Sequence, residues 1–403
     1  MTATSGVSFA VGEETRLVLD NLEAFIDQEV RPLQAELGET YHNPRLRNTP
    51  EGQLDDAVVE AIRTVRRRSA EAGFYAMNLP EEVGGGGVST VTWYRVKKAV
   101  ASSDVPLAEH VLAGPEGAKP LLALAEGEQI GRYLEPTVRA EKSTAFAQTE
   151  PGVGSDSPNM ATTAHKDGDE WVLSGTKQWI TNAPYADFVQ VVARTSPQEE
   201  VGRHGGVTCF LVEADEYEVG SLNNAVGMQG MQAELVFDDV RLPEDRVLGE
   251  VDAGFPQVMA FLTLGRLELG AEAVGRAEYL LEEAAGYARQ REAFGRPIGK
   301  FQHISGKLAR GRAKTFAADA AGLRCAWLMD EGDMPVEEAS ILKWFATKAL
   351  WEVADDTVQI HGANGLSEDN PFMEHLQFAR ILRVVEGTDE IQLNTIAREF
   401  ADL

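Results

Sequence analysis

The chain has 403 residues, 43% of them hydrophobic, which provides for one large domain or two to three ordinary ones with a real core and argues against a disordered chain. Lys and Arg number 37 against 64 Asp and Glu, and the resulting charge of −27 repels phosphate backbones and anionic bilayers, so neither nucleic acid nor a membrane surface is expected as a partner. Such an acid excess fits a protein of a high-salt cytoplasm, where screening removes the long-range self-repulsion.

The N-terminus carries no basic stretch followed by an apolar one, and the longest uncharged run, residues 253–265, is too short to cross a bilayer, so a soluble cytoplasmic protein is expected. Residues 13–140 read mostly as helices. Leu17, Leu22, Phe25 and Ile26 recur at helical spacing, as do Val58, Ile62 and Val65, with Pro32, Pro44, Pro50 and Pro106 as punctuation. The four glycines 84–87 predict a mobile turn, and without a following Lys-Ser/Thr they do not make a P-loop. Near Ser143 the pattern changes to short β-rich bursts at 171–173, 188–193, 207–212 and 235–237, with Asp167-Gly168-Asp169 as a hairpin turn. A small β-barrel or sandwich is expected over 143–250.

After Asp252 the period is helical again. Leu269, Ala273, Ala277, Leu280, Ala284 and Tyr287 form one stripe, and Ile304, Leu308, Gly311, Thr315, Ala318, Gly322 and Cys325 a second; a third helix is predicted over 335–360. Their small residues suit a close antiparallel bundle. The fold class is thus α+β: an N-terminal helical domain over 1–142, a middle β domain over 143–250 and a C-terminal four-helix bundle over 251–403. Cys209 and Cys325 lie in apolar settings without metal-ligand spacing and read as free core thiols, so no metal site is expected. At the C-terminal end, Glu386 precedes a helix start marked by Gly387, the N-cap candidate Thr388 and the first-turn acids Asp389 and Glu390, which puts its carboxylate at a junction and not on a helix face.

Three motifs stand in order along the chain: Thr149-Glu150-Pro151-Gly152-Val153-Gly154-Ser155-Asp156, Lys177-Gln178-Trp179-Ile180-Thr181-Asn182, and Glu386-Gly387-Thr388-Asp389-Glu390-Ile391-Gln392. The chain resembles the acyl-CoA dehydrogenase family, whose T-E-P-x-x-G-S-D loop, K-x-W-I-T-N strand and E-G-T-x-E-I-Q segment these match. Arg291-Glu292-Ala293-Phe294-Gly295, Gln359-Ile360-His361-Gly362-Ala363-Asn364-Gly365 and Pro80-Glu81-Glu82-Val83-Gly84-Gly85 extend the resemblance over nearly the whole chain.

The resemblance implies an FAD-dependent oxidoreductase of fatty acid β-oxidation that converts an acyl-CoA to the trans-2-enoyl-CoA and passes electrons to an electron-transferring flavoprotein. It assigns Glu386 as the base. A carboxylate can take an α proton, whereas hydride acceptance is beyond any side chain and demands a cofactor. Phe146, Gln148, Thr149, Gly154, Ser155, Trp179, Ile180 and Thr181 are assigned by it to the flavin, although Trp179 has a rival reading as a core residue of the β domain. Arg291, Phe294, Gln302, Gln359, Ile360, His361, Gly362, Ala363, Thr388 and Glu390 correspond to further FAD positions, partly across a subunit interface, which implies a dimer or tetramer. Ser155, Thr263, Arg266 and Gly387 are assigned to the acyl-CoA. The chain departs from common family patterns at Thr263, at Val385 where an aromatic often stands, and at Gly265, the position at which some members carry the base. Acyl-CoA oxidases and flavin monooxygenases share the scaffold; the latter lack the glutamate. A nucleic-acid-associated member would carry a basic surface, which the charge opposes.

Overall fold

A computed structural model describes residues 10–401; positions 1–9 and 402–403 of the outer domains lie outside the described residues. Helices come first, then strands, then helices. The contacts gather into two compact units, one of Met1–Asn43, Val88–Glu109 and Leu262–Leu403, the other of Pro44–Gly87 and His110–Phe261. The N-terminal helices are therefore shared between a helical unit and a sheet unit.

The helical unit is built on Glu13–Phe25, Thr90–Ala101, most of Gly254–Gln290, Gln302–Asp330, Val336–His361, Phe372–Leu382 and Asp389–Ala401. Ala273, Ala277, Leu280 and Ala284 of the first predicted stripe are buried, as are Gly311, Thr315, Ala318, Gly322 and Cys325 of the second. The small residues are contact points. A Cβ on Gly270 would lie 2.5 Å from Leu342, and one on Gly322 would lie 2.3 Å from the Tyr94 ring. Leu17 departs from the predicted stripe: the helix Glu13–Phe25 forms, but Leu22 is its buried residue and Leu17 is 58% exposed.

The sheet unit contains the helix Asp56–Glu71 and eight strands: β1 Thr144–Ala147, β2 Thr163–Asp167, β3 Glu170–Thr181, β4 Phe188–Arg194, β5 Val207–Glu213, β6 Glu218–Leu222, β7 Gln232–Pro243 and β8 Val247–Leu248. Their order is β6-β7-β3-β2-β4-β5-β8, with β1 parallel to β4. Ala145 of β1, Ala164 of β2, Trp171 and Leu173 of β3, Val191 of β4, Phe210 of β5 and Leu235 of β7 all enter one core. One core shared by nearly every strand is the mark of a rolled, barrel-like sheet. Cys209 is buried in this unit and Cys325 in the helical one, both as thiols.

The 84–87 glycines are a loop in which Gly84 and Gly87 take left-handed φ of +84° and +59°, while the two between them answer to close packing. A Cβ on Gly85 would sit 2.1 Å from the Leu79 carbonyl oxygen and one on Gly86 2.9 Å from Met77 Cα. Close backbone packing is what requires glycine at these two positions. No helix among the described residues is long and apolar enough to cross a membrane.

Candidate functional site

In the sheet unit, the first two motifs are joined by their backbones. Strand β3 slips register against β7 between Lys177 and Ile180, a bulge that leaves Gln178 and Trp179 outside the ladder. Their amides bond elsewhere: Gln178 N–H donates to the Thr149 carbonyl at 2.8 Å, and Trp179 N–H to Asn223 Oδ1 at 2.9 Å. The bulge also rephases the strand, so that Lys177 and Ile180 both turn inward while Trp179 is 49% exposed. Trp179 is therefore not a core residue. Its φ of +62° is left-handed, a conformation costing an L-residue about 1–2 kcal/mol. The two backbone bonds hold it there.

Beneath this junction lies a buried ion pair. Lys177 Nζ donates to Glu150 Oε1 at 2.8 Å and to the Gln148 carbonyl at 3.1 Å, and Glu150 also accepts from the amides of Ala161 and Thr162 at 2.6 and 3.0 Å. Burial alone would raise the Glu150 pKa, but Lys177 and these donors hold it below its ordinary value. Burial draws Lys177 down to about 8 against the pull of Glu150. The motif residues Glu150 and Lys177 thus act as the loop's foundation, a role not read from the sequence.

The surface above offers a place for a flat polar group. Gly152 and Gly154 are exposed, and a Cβ on either would meet nothing within 4 Å, so the loop leaves open space beside its backbone. Ser155 is exposed, Gln148, Thr149 and Thr181 are half-buried, and Thr181 Oγ1 accepts from Gln232 at 3.1 Å. Phe146 is half-buried, edge-on to Phe261 with ring centres 5.4 Å apart. An exposed glycine loop, hydroxyls and an exposed indole fit the polar edge and flat face of a flavin. Ile180 is different: its side chain is in the β core, which leaves only its backbone for a ligand.

In the helical unit, Glu386 lies in the turn between Phe372–Leu382 and Asp389–Ala401, with φ of +51°, followed by Gly387 at +90°. The turn is closed by Arg383, whose Nη2 meets Asp389 Oδ2 at 2.6 Å. Thr388 Oγ1 accepts from Ile391 N–H at 3.4 Å, consistent with its N-cap position. Backbone and Thr388 hydrogen bonds at the helix start hold the exposed Glu390 below the ordinary carboxylate range. A Cβ built on Gly265 would lie 2.3 Å from Glu386 Oε2, so the missing side chain is the room the carboxylate occupies. Arg266 beside it is buried, with Nη1 donating to Ser340 Oγ at 3.3 Å and Nε buried without a hydrogen-bond partner. Burial lowers the Arg266 pKa, opposed by the charge of Glu386. Thr263 is buried on the same helix, and Val385 packs against the bundle core.

Sequence reading missed two buried side chains here. Lys343 is wholly out of water and donates to the Gly387 carbonyl at 2.7 Å; Gln392 Nε2 donates to the carbonyls of Glu386 and Gly387 at 3.0 Å each. Lys343 was detectable, because it stands on the apolar stripe Ala339, Leu342, Ala346, Leu350.

The remaining predicted residues fall into two groups. Arg291, Phe294 and Gln302 are exposed around a short hairpin, Phe294 being 95% exposed with φ of +54°. Gln359, Gly362 and Ala363 are exposed at the end of Val336–His361, whereas Ile360 packs against Ala284 and Ala288. His361 is buried between the rings of Tyr287 and Phe372, at 4.4 and 4.1 Å, with Nδ1 on the Thr357 carbonyl at 2.8 Å. Its ring is thus held by packing on both faces and by a bond to its own helix.

Comparison with known proteins covers all three segments. Residues 12–141 match the N-terminal domain, 145–240 the middle domain and 252–401 the C-terminal domain of acyl-CoA dehydrogenases. The chain is 32% identical over 390 residues to a 3-(aryl)acrylate reductase of Clostridium sporogenes, covering 96% of this chain and 98% of that one. It is 32% identical over 335 residues to the caffeyl-CoA reductase-Etf complex subunit CarC of Acetobacterium woodii, covering 82% and 87%. Among solved structures, butyryl-CoA dehydrogenase of Megasphaera elsdenii superimposes with a TM-score of 0.82 at 28% identity, over 98% of this chain and all of that one.

Proposed function

Because the chain belongs to the acyl-CoA dehydrogenase family of oxidoreductases, we propose that it is an FAD-dependent enzyme that oxidises an acyl-CoA to the trans-2-enoyl-CoA, with Glu386 as the base. The observation that carries this reading is the Glu386 carboxylate occupying the space left by Gly265, beside the buried guanidinium of Arg266. A water-shielded carboxylate of fixed direction is what abstraction of an α proton needs. Glu386 takes that proton as the Cα–H bond breaks, and the electron pair left behind becomes the new double bond. FAD, when bound, supplies the acceptor for the hydride leaving the β carbon. Arg266 holds the CoA side of the substrate, with Ser155, Thr263 and Gly387 as its further contacts.

Phe146, Gln148, Thr149, Gly154, Ser155, Trp179, Thr181 and the backbone of Ile180 are assigned to the isoalloxazine. The guanidinium of Arg291 suits a phosphate pair, as it is exposed and makes no side-chain hydrogen bond or ion pair among the described residues. Phe294, Gln302, Gln359, Ile360, His361, Gly362, Ala363, Thr388 and Glu390 complete the cofactor set. The 95% exposed ring of Phe294 supports an oligomer in which a second copy covers it, a dimer or tetramer. An electron-transferring flavoprotein is the proposed electron acceptor, a reading supported by the name of the Acetobacterium relative. The domain limits 1–142, 143–250 and 251–403, the cytoplasmic location and the high-salt setting belong to the same proposal.

The name of the Clostridium relative favours a second reading, in which the enzyme runs toward reduction of the double bond and Glu386 returns a proton to the α carbon. The test is anaerobic mixing of the yellow, FAD-loaded protein with acyl-CoAs of graded length and branching. Flavin bleaching by one of them is expected, slowed about 10²–10⁴-fold in Glu386→Gln with its FAD still bound. Near-normal bleaching by the variant would overturn the base assignment. Reoxidation by an enoyl-CoA without bleaching by any acyl-CoA would establish the reverse direction.

A further inference from the structure

Glu386 occupies a left-handed conformation that its side chain does not favour, and the direction of its carboxylate follows from that backbone. Such a turn persists only if its surroundings overdetermine it. Two buried side chains from two helices converge on the carbonyls of Glu386 and Gly387. Lys343 of Val336–His361 donates to Gly387 O at 2.7 Å, and Gln392 of Asp389–Ala401 donates to both carbonyls at 3.0 Å. Neither donor shows any exposed surface. The charged groups acting on Lys343 are Asp389, Glu386, Arg266 and Arg383. An apolar side chain of the same length would fill this place without the cost of burying an ammonium, but it could not donate to the Gly387 carbonyl.

We propose that Lys343, together with Gln392, is a positioning residue for the base: its ammonium locks the Gly387 carbonyl, aims the Glu386 side chain into the space beside Gly265, and places a fixed positive charge behind the carboxylate. The proposal rests on Glu386 being the base. It requires that loss of Lys343 slow proton abstraction while ligand binding is kept, and that this effect vanish when Glu386 can no longer accept a proton.

The experiment uses FAD-loaded protein in four forms: wild type, Lys343→Met, Glu386→Gln and the double variant. Acyl-CoA affinity is read from the ligand-induced shift of the flavin spectrum, and the chemical step from single-turnover flavin reduction. Lys343→Met is expected to keep the ligand Kd within about twofold and to slow reduction about 10–10²-fold, the size of effect that a misplaced catalytic group produces. The double variant should be no slower than Glu386→Gln. Reduction at the wild-type rate in Lys343→Met, with Glu386→Gln slow, overturns the positioning role alone. An equal slowing by Lys343→Met in both backgrounds overturns it too, since a general structural effect is additive. A wild-type rate in Glu386→Gln overturns the base assignment and this proposal with it. If Lys343→Met does not fold, Gln392→Leu carries the same test: slower reduction at unchanged Kd supports the clamp, and an unchanged rate overturns it.

Discussion

Lys177 in the sheet unit and Lys343 in the helical unit are both wholly buried beneath a turn of the candidate site, and each donates to one of its carbonyls, yet they are neutralised in different ways. Lys177 touches a carboxylate, Glu150, at 2.8 Å. Among the described residues no carboxylate bonds to Lys343, whose favourable partners Asp389 and Glu386 act through space, against Arg266 and Arg383. Burial draws both down to about 8. A contact pair consumes its charge on the spot and leaves rigidity, which suits a loop that has only to hold its shape. A buried cation without a contact partner still exerts a field on what lies nearby, and what lies nearby is Glu386.

The comparison breaks most visibly at Glu150. Glu150→Leu strands a buried ammonium and should cost about 3–5 kcal/mol in urea unfolding, with Lys177→Met in the same chain recovering most of it. A loss below about 1 kcal/mol would mean that the pair is not the loop's foundation. Gly265→Ala sharpens the other side. The added methyl claims the position of Glu386 Oε2, and a displacement on the order of 1 Å should slow flavin reduction about 10²-fold with FAD content unchanged. An unaltered rate would show that the carboxylate does not need that space.

A smaller effect is expected with pH. Both lysines have folded pKa values of about 8 against an ordinary 10.5, so above pH 8 the unfolded chain binds more protons and stability rises with pH. The buried thiols of Cys209 and Cys325, pushed up from 9.0 to about 12, act in the opposite sense above pH 9, because there the unfolded chain loses protons first. The urea midpoint should therefore climb between about pH 8 and 9 and then flatten, and Lys343→Met should climb less. A falling midpoint in that window would contradict the two lysine values. Salt should separate surface from interior. Going from dilute to molar KCl is expected to raise the thermal midpoint by screening the acidic surface, while the rate ratio between wild type and Lys343→Met stays constant, because buried charges are screened little. A midpoint indifferent to salt would remove the case for a high-salt protein, and a ratio that closes would place the action of Lys343 at the surface.

β4 and β5 were legible as near-continuous apolar runs, buried on both faces, and the helix Gly254–Gln290 because its stripe from Ala273 to Ala284 keeps one period over several turns. β2 and β6 were not, since Thr163–Asp167 buries only Ala164 and Glu218–Leu222 buries nothing. The division of the N-terminal helices between two units rests on contacts distant in sequence, which local pattern cannot carry. At the candidate site, motif residues drew attention to Glu386 and Trp179, but the parts that hold them were overlooked because lysine and asparagine are normally solvated. Lys177 shares the inward face of β3 with Trp171 and Leu173, and Lys343 shares the apolar stripe of its helix. A cation on a buried period was the signal. Asn223, which accepts from Trp179, offered none, because its partner exists only once the bulge has formed.

The 2.3 Å between the absent Cβ of residue 265 and the carboxylate of Glu386 also constrains how such a chain changes over generations. Positions 265 and 386 draw on one volume, so a glutamate cannot be added at the first while the second keeps its own in this conformation. A side chain gained at position 265 would turn the Glu386 carboxylate out of its present place, while the backbone turn that Lys343 and Gln392 hold could stay as it is.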